Sequence, residues 1–162
     1  VKLLRHGDGT LLGVLTVAVT GRNGKPQLIV GGLQGAHRDT PHEFIRHATK
    51  ACHGLFPKRV LLEALMQLAA AMGIQQIYAV RDGGHVFYSL RYRLKKRALF
   101  HACYDEFWQS VNATVASRHL YQLPLSLAQK PLEEIASKKR AEYRRRYALL
   151  DQLHQQLSRF TR

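Results

Sequence analysis

From Pro57 to Met72 the chain carries a helical pattern that is apolar on almost every side. Leu61, Leu65, Leu68 and Met72 recur three or four residues apart, and Leu62, Ala64, Met66, Ala69, Ala70 and Ala71 fill most of the remaining circumference. A helix of this kind has to be covered on more than one side, so it belongs inside a layered domain. Pro57 suits the first helical position, where its missing N–H would find no partner anyway, and Gly73 stops the helix. The apolar run Ile74 to Val80 follows at once and reads as a short strand.

Upstream, the β-branched and apolar run Leu11 to Val19, the turn-rich Thr20 to Pro26 and the apolar Gln27 to Val30 predict a β-hairpin. Gly31-Gly32-Leu33-Gln34-Gly35 is expected to end its second strand. Thr40 as N-cap, Pro41 in the first turn and Glu43 closing a capping box predict a helix running to about Cys52. Further on, Val86 to Tyr92 reads as a strand, Tyr104 to Val111 as a short helix and His119 to Leu123 as a short strand. From Pro131 the pattern is helical almost to the end, with Tyr143, Tyr147, Leu150, Leu153, Leu157 and Phe160 on one seam. The expected fold is therefore α/β (α+β): a mixed or mainly antiparallel sheet with packed helices and a long basic C-terminal helix.

The length of 162 residues suits a single domain, 1–162, and no stretch approaches the roughly 18 consecutive apolar residues of a membrane span. Cys52 and Cys103 are isolated, which disfavours a zinc ribbon or a disulfide scaffold and favours a reducing, cytoplasmic setting. HExxH and Cys/His clusters with zinc spacing are absent, so no metal is expected. Lys and Arg outnumber Asp and Glu by 25 to 11, a formal charge of +14. That field attracts anionic partners: a phosphate-bearing cofactor, anionic lipid at the inner membrane, or nucleic acid. A solvated basic surface without a specific polyanion accounts for the same balance.

Two stretches point towards chemistry. Gly54, Phe56, Lys58 and Arg59 surround the mouth of the apolar helix, where free N–H groups and two cations would make an anion or pyrophosphate seat. An ordinary helix start with two solvated basic residues is the competing reading. The order of turn, helix and strand resembles the acyl-CoA-binding turn of the GCN5-related N-acetyltransferase superfamily, in which a basic, glycine-rich loop cradles the cofactor pyrophosphate. The Q/R-x-x-G-x-G/A pattern of that superfamily is absent here. An N-acetyltransferase-like core would take acyl-CoA at this seat and use His85, Tyr104 or Asp105 for proton transfer; any one histidine, His85 included, reads more readily as a surface or packing residue. Tyr104, Phe107 and Trp108 form an aromatic cluster suited to the core or to a pocket wall.

The second stretch is Lys138, Lys139, Arg140, Arg144, Arg145 and Arg146, six cations within nine positions at the front of the last helix. Their density suits phosphate contacts, and it equally suits a solvated helix face. No zinc finger, RNP signature or helix-turn-helix surrounds them, so specific DNA readout is not expected.

Five blocks taken in order are similar to the VirK/YbjX family of Gram-negative bacteria. They are Gly31 to Gly35, Pro57-Lys58 before the apolar helix, Ile77 to Val80 followed by His85, Tyr104 to Trp108, and Ser137 to Arg140 through Tyr147 to Asp151. Arg81-Asp82-Gly83-Gly84 and Ser110-Val111-Asn112-Ala113 depart from the family pattern. The resemblance implies association with virulence, resistance to cationic antimicrobial peptides and envelope stress, and no catalytic residues come with it. Members are usually about twice this length, so the chain is expected to be the C-terminal part of a longer protein. The expectations are thus an acyl-CoA-dependent acyltransferase-like protein or, alternatively, a non-catalytic basic module binding nucleic acid or anionic lipid.

Overall fold

The computed structural model describes residues 4–5, 7, 9–22, 24–82 and 104–159. Among the described residues six strands form one mixed sheet: β1 Leu4–Arg5, β2 Leu11–Arg22, β3 Lys25–Gly35, β4 Ile77–Val80, β5 Thr114–Val115 and β6 Leu120–Leu123, in the order β1-β2-β3-β4-β6-β5. The helices are α1 His42–Ala51, α2 Pro57–Ala71, α3 Tyr104–Ser110 and α4 Ser137–Arg159, the last preceded by a 3-10 turn at Leu132–Glu134. The expected hairpin is β2 and β3, with Arg22 opposite Lys25 and Gly24 at a φ of 73°. The expected strand Val86 to Tyr92 falls outside the described residues.

β3 ends with its glycine block, as expected, and not before it. It runs on to Gly35, and the register shifts so that Thr16 faces Gly32 while Val17 faces Val30, leaving Gly31 as the extra residue of a bulge. The bulge marks where β3 leaves β4. Their parallel pairing spans Leu28↔Ile77 to Val30↔Ala79, after which β3 continues towards the head of α2 with no partner on that side among the described residues.

The apolar helix is buried over its first three turns, while Ala70, Ala71 and Met72 at its end are exposed and Leu68 is half-buried, so the expected covering on every side holds only in part. Leu61, Leu62, Leu65, Met66 and Ala69 join Leu15, Leu28, Val30, Leu33, Ile77 and Ala79 in one core. α2 packs so closely on the sheet that a Cβ at Gly13 would stand 2.7 Å from Leu61 Cδ1. Beyond β4, Trp108 is fully buried, donates its indole N–H to the Val80 carbonyl (3.0 Å), and packs with Tyr104 and Phe107. The aromatic cluster therefore seats α3 on the sheet.

The N-terminus of α1 departs from expectation. Pro41, at ψ 135°, occupies the cap position, and no side chain caps the helix. Thr40 belongs instead to the preceding turn, its N–H donating to the His37 carbonyl (2.9 Å), so the expected Thr40–Glu43 capping box does not form. At the other end His53 and Gly54 both take positive φ, 51° and 84°, and close α1 with N–H bonds to Lys50 and Thr49. Gly54 is required here twice over: by its φ, and because a Cβ would lie 2.5 Å from both the Arg146 guanidinium and the Glu142 carboxylate of α4.

Candidate functional site

Where β3 ends, α2 begins and α4 crosses, the chain leaves a cleft of about 890 Å³. Its walls come from the end of β3 and the residue after it (Gly35, Ala36), the mouth of α2, the end of α3 and the turn after it (Phe107, Ser110, Val111, Asn112) and the seam of α4 (Tyr143, Tyr147, Leu150). All four residues expected to hold a cofactor, Gly54, Phe56, Lys58 and Arg59, line it. The walls are largely apolar, which is the usual make-up of a small-molecule site with a few placed polar groups.

The polar groups divide sharply. Arg59 Nε donates to Glu63 Oε1 at 3.3 Å one turn along α2, and Glu63 is itself buried at 7% exposure. Burial pushes the Glu63 carboxyl above the usual glutamate range, and the charge and hydrogen bond of Arg59 pull it back in part. Arg59 is therefore already paired with a carboxyl inside the cleft. Lys58 has no ion-pair partner among the described residues. Its stem passes against Gly35, where a Cβ would meet Lys58 Cε at 3.4 Å, and its ammonium stands 6.0 Å from the Phe107 ring centroid. Desolvation by burial lowers the Lys58 pKa from the ordinary lysine value. A half-buried ammonium without a counter-charge favours any anion that displaces its remaining water.

The backbone contributes less than the sequence suggested. The N–H groups of His53, Gly54 and Leu55 are committed to carbonyls at the end of α1, Pro57 has none, and the Arg59 and Val60 N–H groups turn back to Phe56. Most of the N–H groups expected to form a cradle at the mouth of α2 are thus already bonded, and the Lys58 side chain is a cation there without an ion pair among the described residues.

Of the residues expected to move protons, His85 lies outside the described residues, as does Cys103. Tyr104 is 2% exposed in the core, and burial raises its pKa, assisted by the charge of Asp82 and opposed by a backbone hydrogen bond with Leu33. Asp105 is held in a reciprocal clasp. The Asp82 carboxylate accepts the Tyr104 N–H (2.9 Å) and the Asp105 N–H (3.5 Å), the Asp105 carboxylate accepts the Asp82 N–H (2.9 Å), and Arg81 pairs with Asp105 at 3.7 Å. These contacts cap α3 in the manner of a capping box. Neither Tyr104 nor Asp105 lines the cleft, so the structure gives both a place in the fold. Glu63 is the cleft residue that the sequence reading passed over. A lone acid inside Leu61-Leu62-Glu63-Ala64-Leu65-Met66 was the signal, because buried charge is the informative exception.

The six cations of α4 also divide. Arg146 Nε donates to the His53 carbonyl at 2.8 Å, its guanidinium lies 4.0 Å from the Tyr143 ring centroid, and Glu142 is 3.5 Å away. Arg140 donates to the carbonyls of Ile135 (2.9 Å) and Glu133 (3.3 Å). These two fasten α4 to the rest of the chain, while Lys138, Lys139, Arg144 and Arg145 are exposed. Among the described residues no group of three or more His, Cys, Asp or Glu could hold a metal ion, and no helix is long and apolar enough to cross a membrane.

A family model described as "Protein of unknown function (DUF535)" matches residues 3–159. A protein of Escherichia coli K12 named "Uncharacterized protein YbjX" is 46% identical over 156 residues, covering 96% of this chain and 47% of that protein. A Haemophilus influenzae protein is 36% identical over 127 residues, 78% of this chain and 42% of its own length. The chain thus spans about half the length of the curated relatives it matches. No solved structure matches.

Proposed function

The chain belongs to the DUF535 (VirK/YbjX) family, and from that premise and the geometry of the cleft we propose that it binds an acyl thioester of the acyl-CoA type, as an acyltransferase-like protein. One observation carries the reading: an apolar cleft of about 890 Å³ is lined by a partly desolvated ammonium, Lys58, that has no ion-pair partner among the described residues. Apolar walls accommodate an acyl and pantetheine chain, and a cation at the end suits its phosphate. The walls formed by Ser110, Val111 and Asn112 include one of the two segments that depart from the family pattern. Acyl-chain preference is therefore the property in which this member is expected to differ from its relatives.

Virulence, resistance to cationic peptides, envelope stress and a cytoplasmic or inner-membrane-peripheral location belong to this proposal at the level of the whole protein. The residue that would move a proton in a transfer reaction is left unassigned, since Tyr104 and Asp105 are engaged elsewhere.

Thermal-shift titration with acetyl-CoA and a long-chain acyl-CoA tests the reading. Saturable stabilisation is expected, stronger for the longer chain because each buried methylene contributes about 0.8 kcal/mol. Lys58→Ala should weaken it roughly ten-fold, the order of one charged hydrogen bond. In the parent protein affinity should fall as pH rises through the lowered Lys58 pKa, because the anion binds the protonated amine. Absence of saturable stabilisation with either thioester, or an unchanged affinity in Lys58→Ala, overturns the proposal.

A further inference from the structure

A second cavity, of about 990 Å³, lies on the other side of Phe56 between α1 and the front of α4. On one wall α1 presents His42, Arg46, Thr49 and Lys50; on the other α4 presents Lys138, Glu142 and Arg145. Arg46 and Lys50 are one turn apart on α1, and Lys138 and Arg145 are two turns apart on α4, so each pair shares a helix face. Among the described residues none of these four cations is within ion-pair distance of a carboxylate. The one acid of the groove, Glu142, is 3.5 Å from Arg146 and turned to that partner. Four cations therefore face one another across a gap, an arrangement that repels itself until an anion enters.

We propose that this groove is a binding site for a diphosphate group. Two guanidinium groups and two ammonium groups on opposite walls match closely spaced phosphates, which arginine grips through paired N–H bonds and lysine as a point charge. Duplex nucleic acid does not fit the same geometry. α1 is only 10 residues long, about 15 Å, and its two groove cations, Arg46 and Lys50, are one turn apart, too short a track for a duplex backbone. The site is separate from the Lys58 rim, although the two cavities meet at Ile45, Gly54 and Phe56. It stands whether or not the apolar cleft takes a thioester.

The test is calorimetric titration of the protein with inorganic pyrophosphate at physiological ionic strength, compared between two double variants of equal charge loss. Arg46→Ala/Arg145→Ala removes one cation from each wall. Lys139→Ala/Arg144→Ala removes two exposed cations that do not line the groove. All four positions are exposed, so both variants should fold, as far-UV circular dichroism can verify. Saturable binding is expected in the parent, with a loss of roughly ten-fold or more in the groove variant and only a small loss in the other. Equal losses in both variants, or non-saturating binding, would mean a diffuse basic field and overturn the site. Competition by coenzyme A against competition by phosphatidylglycerol vesicles then separates a soluble diphosphate ligand from a lipid headgroup.

Discussion

Glu63 carries a charge into the most apolar helix of the chain, and its titration should be visible in the stability of the whole. Burial raises its pKa in the folded state, so folding favours the protonated form. Its contribution is therefore fully present below the ordinary glutamate pKa and is lost as pH rises through the raised value. Glu63→Gln keeps an oxygen acceptor for Arg59 and does not ionise. Denaturant unfolding from roughly pH 4 to 8 should show the variant gaining on the parent as pH rises, with the gap levelling once Glu63 is fully ionised in the folded state. A gap that moves the other way would mean that the Arg59 pair outweighs desolvation and that Glu63 is held as a stabilising anion. The same scale explains what sequence reading could and could not supply at the cleft. Lys58, Arg59, Phe56 and Gly54 were legible because they flank a helix start. The neutralising partner of Arg59 was legible only as an acid in an apolar run, and the duty of Gly54 towards Arg146 was hidden because it joins residues far apart in the chain.

At the scale of elements, α3 has seven residues, too short to persist without tertiary support. Its support comes from Asp82, which accepts two N–H groups at the helix mouth, and from Trp108, whose indole bonds to Val80 at the end of β4. Asp82→Ala should cost about 1 kcal/mol or somewhat more, the range of a lost helix cap, with the clasp to Asp105 lost as well. Trp108 is the chain's sole tryptophan and is fully buried, so its fluorescence during denaturant unfolding reports this element directly. An unchanged midpoint would mean that aromatic packing alone holds α3. Elements with a full periodic signal, β2, β3, α2 and α4, were readable from the pattern of apolar residues. The two-residue strands β1 and β5 were not, since strands that short carry no alternation to detect. The bulge in β3 was missed for a different reason: Gly31 reads as a stop in one dimension and becomes a bulge only when β2 lies beside it.

Across the whole molecule, a net charge of +14 on 162 residues opposes compaction, and among the described residues part of it is concentrated in the cavity between α1 and α4, which four cations line. The charge itself was plain from composition, but its concentration was not, because the approach of α1 to α4 depends on Arg146 reaching the His53 carbonyl across most of the chain. Screening should therefore stabilise the fold. Raising sodium chloride from about 0.02 to 0.5 M shrinks the Debye length from roughly 20 Å to about 4 Å, which suppresses repulsion between exposed cations. A gain of 1 kcal/mol would raise the melting temperature by about 2–4 °C in a chain of this size, and a rise of that order is expected. Arg46→Ala/Arg145→Ala should start from a higher melting temperature in low salt and respond less to added salt, because it has already relieved the repulsion that salt would screen. A melting temperature that falls with salt would mean that surface ion pairs outweigh the net charge. At matched ionic strength, pyrophosphate should raise the parent's melting temperature beyond the sodium chloride effect, since a ligand bound only by the folded state adds to screening by mass action.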